Sequence, residues 1–441
     1  MLEEIIRFFS FTDPNVRFVL AGTVLLGISA GALGCFAILR QRALVGDAVA
    51  HSVLPGVCIS FIIVGDKDPV ALLIGSLVFG WLSLLTMDFL QKNSKISADA
   101  SIGMILSVFF GLGILLLTYI QNSGNSNQSG LNSFMFGQAA SLVPRDVTIF
   151  GTISVLVTVA IGFSFKELKL ISFDPGYARA SGLPVRRYEF LLATMMVMVI
   201  TVGLQAVGVV LIASMLIIPP AAARYWTDKL SVMVMIGASF GALSGLLGSV
   251  ISYLAPAMPT GPWMVISALF LFVVSFLFAP NRGEVARLVR SRRNKHKIND
   301  ENLIKTLYKL EESDGFRHKT WLMKDIMKRR RMRERDARKA IVRLVSRGLV
   351  DRFSGKPTGY QITEAGAVEA RRIIRLHRLW EVYLTSTVEI AADHVHDDAE
   401  SMEHILTPEI EEQLTRLLGQ PTVDPHQQEI PYEPSEGVRH A

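Results

Sequence analysis

Apolar runs of near-membrane length follow one another from Val16 to Ala279, with few charges inside them, and the pattern then stops. From Asn281 onward charges are dense, and apolar positions recur at helical or alternating spacing instead. An α-helix needs about 20 apolar residues to cross a hydrocarbon core. The first part therefore predicts an all-α polytopic membrane domain. Nine candidate spans fall at 16–39, 44–64, 69–90, 101–120, 146–165, 188–204, 206–223, 231–254 and 261–280. The sixth and seventh are short and crowded; as a re-entrant or broken pair around Gln205 they would leave eight. Basic residues collect in alternate loops: Arg40 and Arg42, Lys92 and Lys95, the stretch from Lys166 to Arg187, Arg224 and Lys229, and a run after the last span. The opposite loops, GDKD at 65–68, NSGNSNQSG at 122–130 and APAMPTG at 255–261, are poor in Lys and Arg. Because basic loops stay inside, the amino terminus is expected outside and the carboxyl half in the cytoplasm.

The polar half predicts two further domains behind a linker. Residues 1–280 form the membrane domain, and 281–298 (NRGEVARLVRSRRNKHK and the next residue) form a basic juxtamembrane linker suited to anionic lipid and exposed to proteases. Within 299–362, NDENLIKTLYKLEES has apolar residues at 303, 304, 307 and 310, a helix period, and TWLMKDIMKR predicts a second helix. RERDARKAIVRLVSRGLV (333–350) predicts a third, with Ala337, Ala340, Ile341, Leu344 and Val345 on one face. LVDRFSGKPTGYQIT then has two β-rich runs around a turn, a hairpin. Three helices and a hairpin make a winged helix-turn-helix. Its third helix would enter a major groove, with Arg335, Arg338 and Lys339 toward the DNA and KRRRMRER (328–335) supplying electrostatic attraction. A solvated basic face on a small helical domain would share this pattern.

Composition sharpens the division. Half the residues are hydrophobic, only 19% are charged, and the net charge is +6. The two cysteines, Cys35 and Cys58, both sit in apolar runs, so neither a disulfide framework nor a zinc ribbon is expected. In GDAVAHSVLPG (46–56), Asp47 and His51 are i, i+4 and share a helix face inside a span. A charge there is costly and faces a cavity or a partner; carboxylate plus imidazole suits a divalent transition metal. An Asp–His hydrogen bond stabilising the bundle would produce the same spacing. In 363–441, His377 and Glu381 are i, i+4, as are His396 and Glu400, and Glu400, Glu403 and His404 share a face. Three His and three Glu on two helices suggest a metal site, with an amphipathic acidic helix as the alternative. GxxxxGK[ST] is absent, so ATP hydrolysis falls to a separate subunit. HExxH is absent as well, which counts against a metallopeptidase.

Two resemblances follow from these motifs. GDAVAHSVLPG, SFDPGYARASGLPVRRYEFLL (172–192) and GVVLIASMLIIPPAAAR (208–224), in that order, resemble the manganese/zinc/iron permease family of ABC transporters over roughly 15–280. That resemblance implies a non-enzymatic transport subunit in the bacterial inner membrane. Its implied partners are an ATP-binding subunit docking on 166–188, an extracytoplasmic metal-binding protein, and a second permease subunit, identical or not. It makes Asp47 and His51 the transport-pathway pair for Mn²⁺, Fe²⁺ or Zn²⁺. RLHRLWEVYL, VHDDAESMEHIL and DPHQQEIP resemble the metal-dependent repressors that sense iron or manganese, over 299–432. That implies a repressor-domain homodimer on operator DNA, with Mn²⁺ or Fe²⁺ held by His377, Glu381, His396, Glu400, Glu403 and His404. Glu400 stands where iron-type members carry Cys, a harder donor as in manganese-type members. Asn302, with Lys305 a turn later, stands where the family's first helix often donates a ligand. The expected function is a metal permease fused to a metal-dependent repressor, the repressor half being released by cleavage near 281–300; the alternative is a cytoplasmic domain that gates transport without binding DNA.

Overall fold

The computed structural model describes residues 2–40, 43–66, 68–122, 144–255, 258–317, 319–330, 332–355, 358–391 and 408–432. The chain separates into two compact units, Met1–Arg287 and Leu288–Ala441.

Apolar length decides the first unit. Among the described residues, eight helices are long and apolar enough to cross a membrane: Pro14–Leu39, Leu44–Val64, Pro69–Asn93, Ala98–Asn122, Pro144–Phe163, Val185–Leu204, Leu230–Leu254 and Thr260–Phe278. Helix association in lipid relies on close packing, which small residues allow. Gly27 and Gly31 on Pro14–Leu39 meet Gly241 and Gly237 on Leu230–Leu254 so closely that a Cβ on any of the four would strike the facing helix. The crowded sixth and seventh spans resolve into helices Val185–Val207 and Val209–Arg224, joined at Gly208 with φ +95°. The break is thus at Gly208 and not around Gln205, because glycine tolerates that conformation. The second helix of this pair has 16 residues and rises about 24 Å. The second span is also broken, into Ala43–Ser52 and Leu54–Val64.

The second unit is built on the expected three helices and hairpin, with three differences. Helix starts at Glu284 and runs to Ser313, so most of the 281–298 linker is helical, exposed from Arg287 to Ile298. No Gly or Pro interrupts that stretch. The second helix, Met323–Arg329, is preceded by a short strand, β1 (Trp321–Leu322). The third helix is Glu334–Ser346 and stops short of 350 because Gly348, at φ +69°, turns the chain into β2 (Val350–Phe353). β3 (Gly359–Ile362) pairs antiparallel with both, giving the order β1-β3-β2. Ala337, Ala340, Ile341 and Leu344 are buried against Leu303, Ile304, Leu307, Ile326, Val350 and Ile362, as the apolar spacing predicts. Helix Glu364–Ser386 extends this core through Ala370, Ile373 and Ile374. Farther along, Leu379 packs with Leu414 of helix Pro408–Leu418 and with Ile430.

Candidate metal sites and nucleic-acid interface

Asp47 and His51 lie on one face of Ala43–Ser52, with His51 Nε2 3.6 Å from Asp47 Oδ1. That separation exceeds a normal hydrogen bond, so the pair is apposed without being closed on itself. The His51 ring meets Phe110 edge-on, centroids 4.9 Å apart. Its Nδ1 is buried with no hydrogen-bond partner among the described residues. These features favour a pair open to a third party over one that merely ties the bundle together. Sequence spacing alone missed the role of Pro55. In a continuous helix the amide of residue 55 would bond the carbonyl of His51; proline has no N–H, so the helix breaks beside the pair and that carbonyl loses its helical donor.

His377 and Glu381 form the second pair, on Glu364–Ser386, with Nε2 3.1 Å from Oε1 and both side chains buried. Burial of a carboxylate and an imidazole together requires strong mutual or ionic compensation. His396, Glu400, Glu403 and His404 lie outside the described residues. Among the described residues, no group of three or more His, Cys, Asp or Glu is placed to hold an ion. Asn302 and Lys305 are both buried, and Asn302 Oδ1 has no hydrogen-bond partner among the described residues. An orphan amide oxygen and a buried His–Glu pair are hard or borderline donors that fit Mn²⁺ or Fe²⁺.

The residue next to His377 was not singled out by sequence. Arg378 is buried and reaches Gln428 Oε1 at 2.9 Å, Asp424 and Glu312 at 3.6 Å, and the Glu429 carbonyl. It thereby ties the helix carrying His377 to the end of Glu284–Ser313. No periodicity reveals this, since the partners lie far off in the chain on both sides, Gln428 fifty residues on and Glu312 farther still in the other direction. Asp300 similarly holds Arg343 of the third helix through two oxygens, at 2.6–3.1 Å.

Arg335, Arg338 and Lys339 are all exposed on Glu334–Ser346, opposite its buried alanines. Arg338 donates to Glu334 at 2.6 and 2.9 Å, and that carboxylate raises its pKa further. Arg335 and Lys339 extend the same basic face, a suitable surface for phosphate.

Comparison with known proteins places both halves. Residues 12–279 match the model of the ABC 3 transport family, and 363–432 match the iron dependent repressor, metal binding and dimerisation domain. The chain is 40% identical over 378 residues to the manganese transport system membrane protein MntC of Bacillus subtilis, covering 86% of each. It is 39% identical over 283 residues to the zinc transport system membrane protein TroC of Treponema pallidum, covering 64% of this chain and 95% of that one. The solved structure of PsaBC from Streptococcus pneumoniae in complex with Fab matches with TM-score 0.58 and 33% identity, over 65% of this chain and 99% of that one.

Proposed function

We propose that this chain, which belongs to the ABC 3 transport family through residues 12–279 and carries an iron dependent repressor domain at 363–432, imports a divalent transition metal and represses genes in response to it. The cargo is Mn²⁺, Zn²⁺ or Fe²⁺, the first two being those named for its relatives. Asp47 and His51 contact the cargo as it passes. A separate ATP-binding subunit drives the cycle, an extracytoplasmic metal-binding protein delivers the ion, and a second permease subunit completes the pathway.

In the cytoplasm, His377 and Glu381 contribute to a sensor site with His396, Glu400, Glu403 and His404. When bound, Mn²⁺ or Fe²⁺ supplies the positive charge that offsets the buried carboxylate. The repressor halves pair, and Arg335, Arg338 and Lys339 bind operator DNA. The repressor half acts while still tethered to the permease. Proteases cut exposed irregular chain most readily, and the segment after Gly283 is helical. Operator DNA must then approach the membrane.

The observation that carries the transport reading is the Asp47–His51 pair, apposed at 3.6 Å with a buried Nδ1 that has no hydrogen-bond partner among the described residues, within a permease-family segment. Radioactive Mn²⁺ or Zn²⁺ uptake by cells expressing the full chain with its ATPase tests it. Asp47→Ala is expected to cut uptake at least tenfold at unchanged membrane abundance. Uptake equal to wild type would remove Asp47 from the pathway.

A further inference from the structure

Arg40 and Glu189 form an ion pair that neither metal site uses. Arg40 closes the Pro14–Leu39 helix, its backbone N–H bonding Phe36 O, and its side chain is only 9% exposed. Glu189 lies just over one turn into Val185–Val207. A cation so far withdrawn from water is costly without its counter-charge, so the carboxylate fixes where the guanidinium sits.

Against the pair is a small cavity whose walls include Val45, Val49, Leu192 and Met196. Val45 and Val49 belong to Ala43–Ser52, the helix that carries Asp47 and His51. The valines are i, i+4 and share a face. Asp47, two residues on from Val45, is turned by about 200°, so the Asp–His pair lies on the opposite face. Movement of Arg40 and Glu189 would therefore act on the back of the cargo-contacting helix.

The connection from Glu189 toward 166–188 is short and stiff. Helices Phe165–Phe173 and Pro175–Ala180 lead into a turn closed by Gly182 N–H to Arg179 O and Leu183 N–H to Ala178 O, each 3.1 Å. Ala178 and Val185 are buried on either side of it. Phe36, one turn before Arg40, packs edge-on against Phe165 with centroids 6.2 Å apart. The same end of the Pro14–Leu39 helix thus meets both ends of the segment.

We propose that the Arg40–Glu189 pair is the coupling link of the permease: it passes displacement of the 166–188 segment to the helix bearing Asp47 and His51. Arg40 and Glu189 are positioning residues. The proposal rests on the reading of this chain as an ABC permease docked through 166–188.

The test is the ratio of Mn²⁺ transported to ATP hydrolysed, by the full chain with its ATPase subunit in proteoliposomes supplied with the binding protein. Glu189→Gln and Arg40→Gln are expected to lower that ratio at least fivefold while the complex still hydrolyses ATP. Reversing the pair, with Arg40→Glu and Glu189→Arg together, is expected to restore at least half of it. Wild-type ratios in both single variants would overturn the proposal. So would loss of assembly in the single variants that the reversed pair repairs without repairing the ratio, since that is a purely structural bond. Failure of the wild-type complex to move Mn²⁺ or Zn²⁺ would instead overturn the permease reading itself.

Discussion

A close glycine crossing in the membrane unit makes one substitution change sign with position. At Gly241 an added methyl group would overlap the carbonyl oxygen of Gly27; the oxygen belongs to one helix backbone and the methyl is fixed to the other, so neither can step aside singly. The helices Pro14–Leu39 and Leu230–Leu254 must then separate, which also loosens Gly31 against Gly237 and Gly245 against Thr23. Overpacking of this kind costs about 1–3 kcal/mol, more than the roughly 0.5–1 kcal/mol that alanine gains over glycine within a helix. At Gly111, on Ala98–Asn122, nothing lies within 4 Å of the added methyl, so only the helix gain remains. For a domain of this size each kcal/mol moves the melting point by about 2–4 °C. Thermal unfolding of the full chain in one detergent, at one scan rate, is the assay. Both variants share the helix gain, so Gly241→Ala should melt roughly 2–12 °C below Gly111→Ala, which should melt at or slightly above wild type. Equal melting points for the two, or the reverse order, would refute the close crossing.

Two further outcomes concern the second half. Lys339→Ala should weaken DNA binding about equally across sequences and lower the salt slope by about 1, as loss of one phosphate contact does; fluorescence anisotropy at several salt concentrations measures both. Glu400→Ala should weaken Mn²⁺ binding by tenfold or more in calorimetry on the full chain, whereas Asp397→Ala, in the same VHDDAESMEHIL stretch but outside the proposed ligand set, should leave it within twofold; similar losses from both would point to a diffuse acidic surface.

What the sequence made legible follows from how each feature is encoded. Membrane spans are runs, and the helix faces of 334–346 are periods, so Ala337, Ala340, Ile341 and Leu344 could be assigned inward without coordinates. Breaks depend on single residues inside such runs. Gly208 and Pro55 interrupt helices whose apolar character continues across them, which hydropathy does not register. The helical linker was hidden for the opposite reason: charge marks exposure, and an exposed helix carries no apolar stripe to announce it. Trp321–Leu322 is too short to show alternation and becomes a strand only because β3 offers it partners. Of the candidate sites, the i, i+4 pairs Asp47–His51 and His377–Glu381 were visible because both members share one helix. Arg40–Glu189 and the partners of Arg378 join residues far apart in the chain, and only the fold brings them together.

The claim that transport and metal-responsive repression share one polypeptide meets its most direct test in DNA binding by the full-length chain in nanodiscs, followed as Mn²⁺ or Fe²⁺ is titrated. The expected result is an affinity for promoter DNA of its own uptake genes that rises at least tenfold with metal, and a Glu381→Ala variant that does not respond. DNA affinity indifferent to metal, or equally responsive in Glu381→Ala, would contradict it.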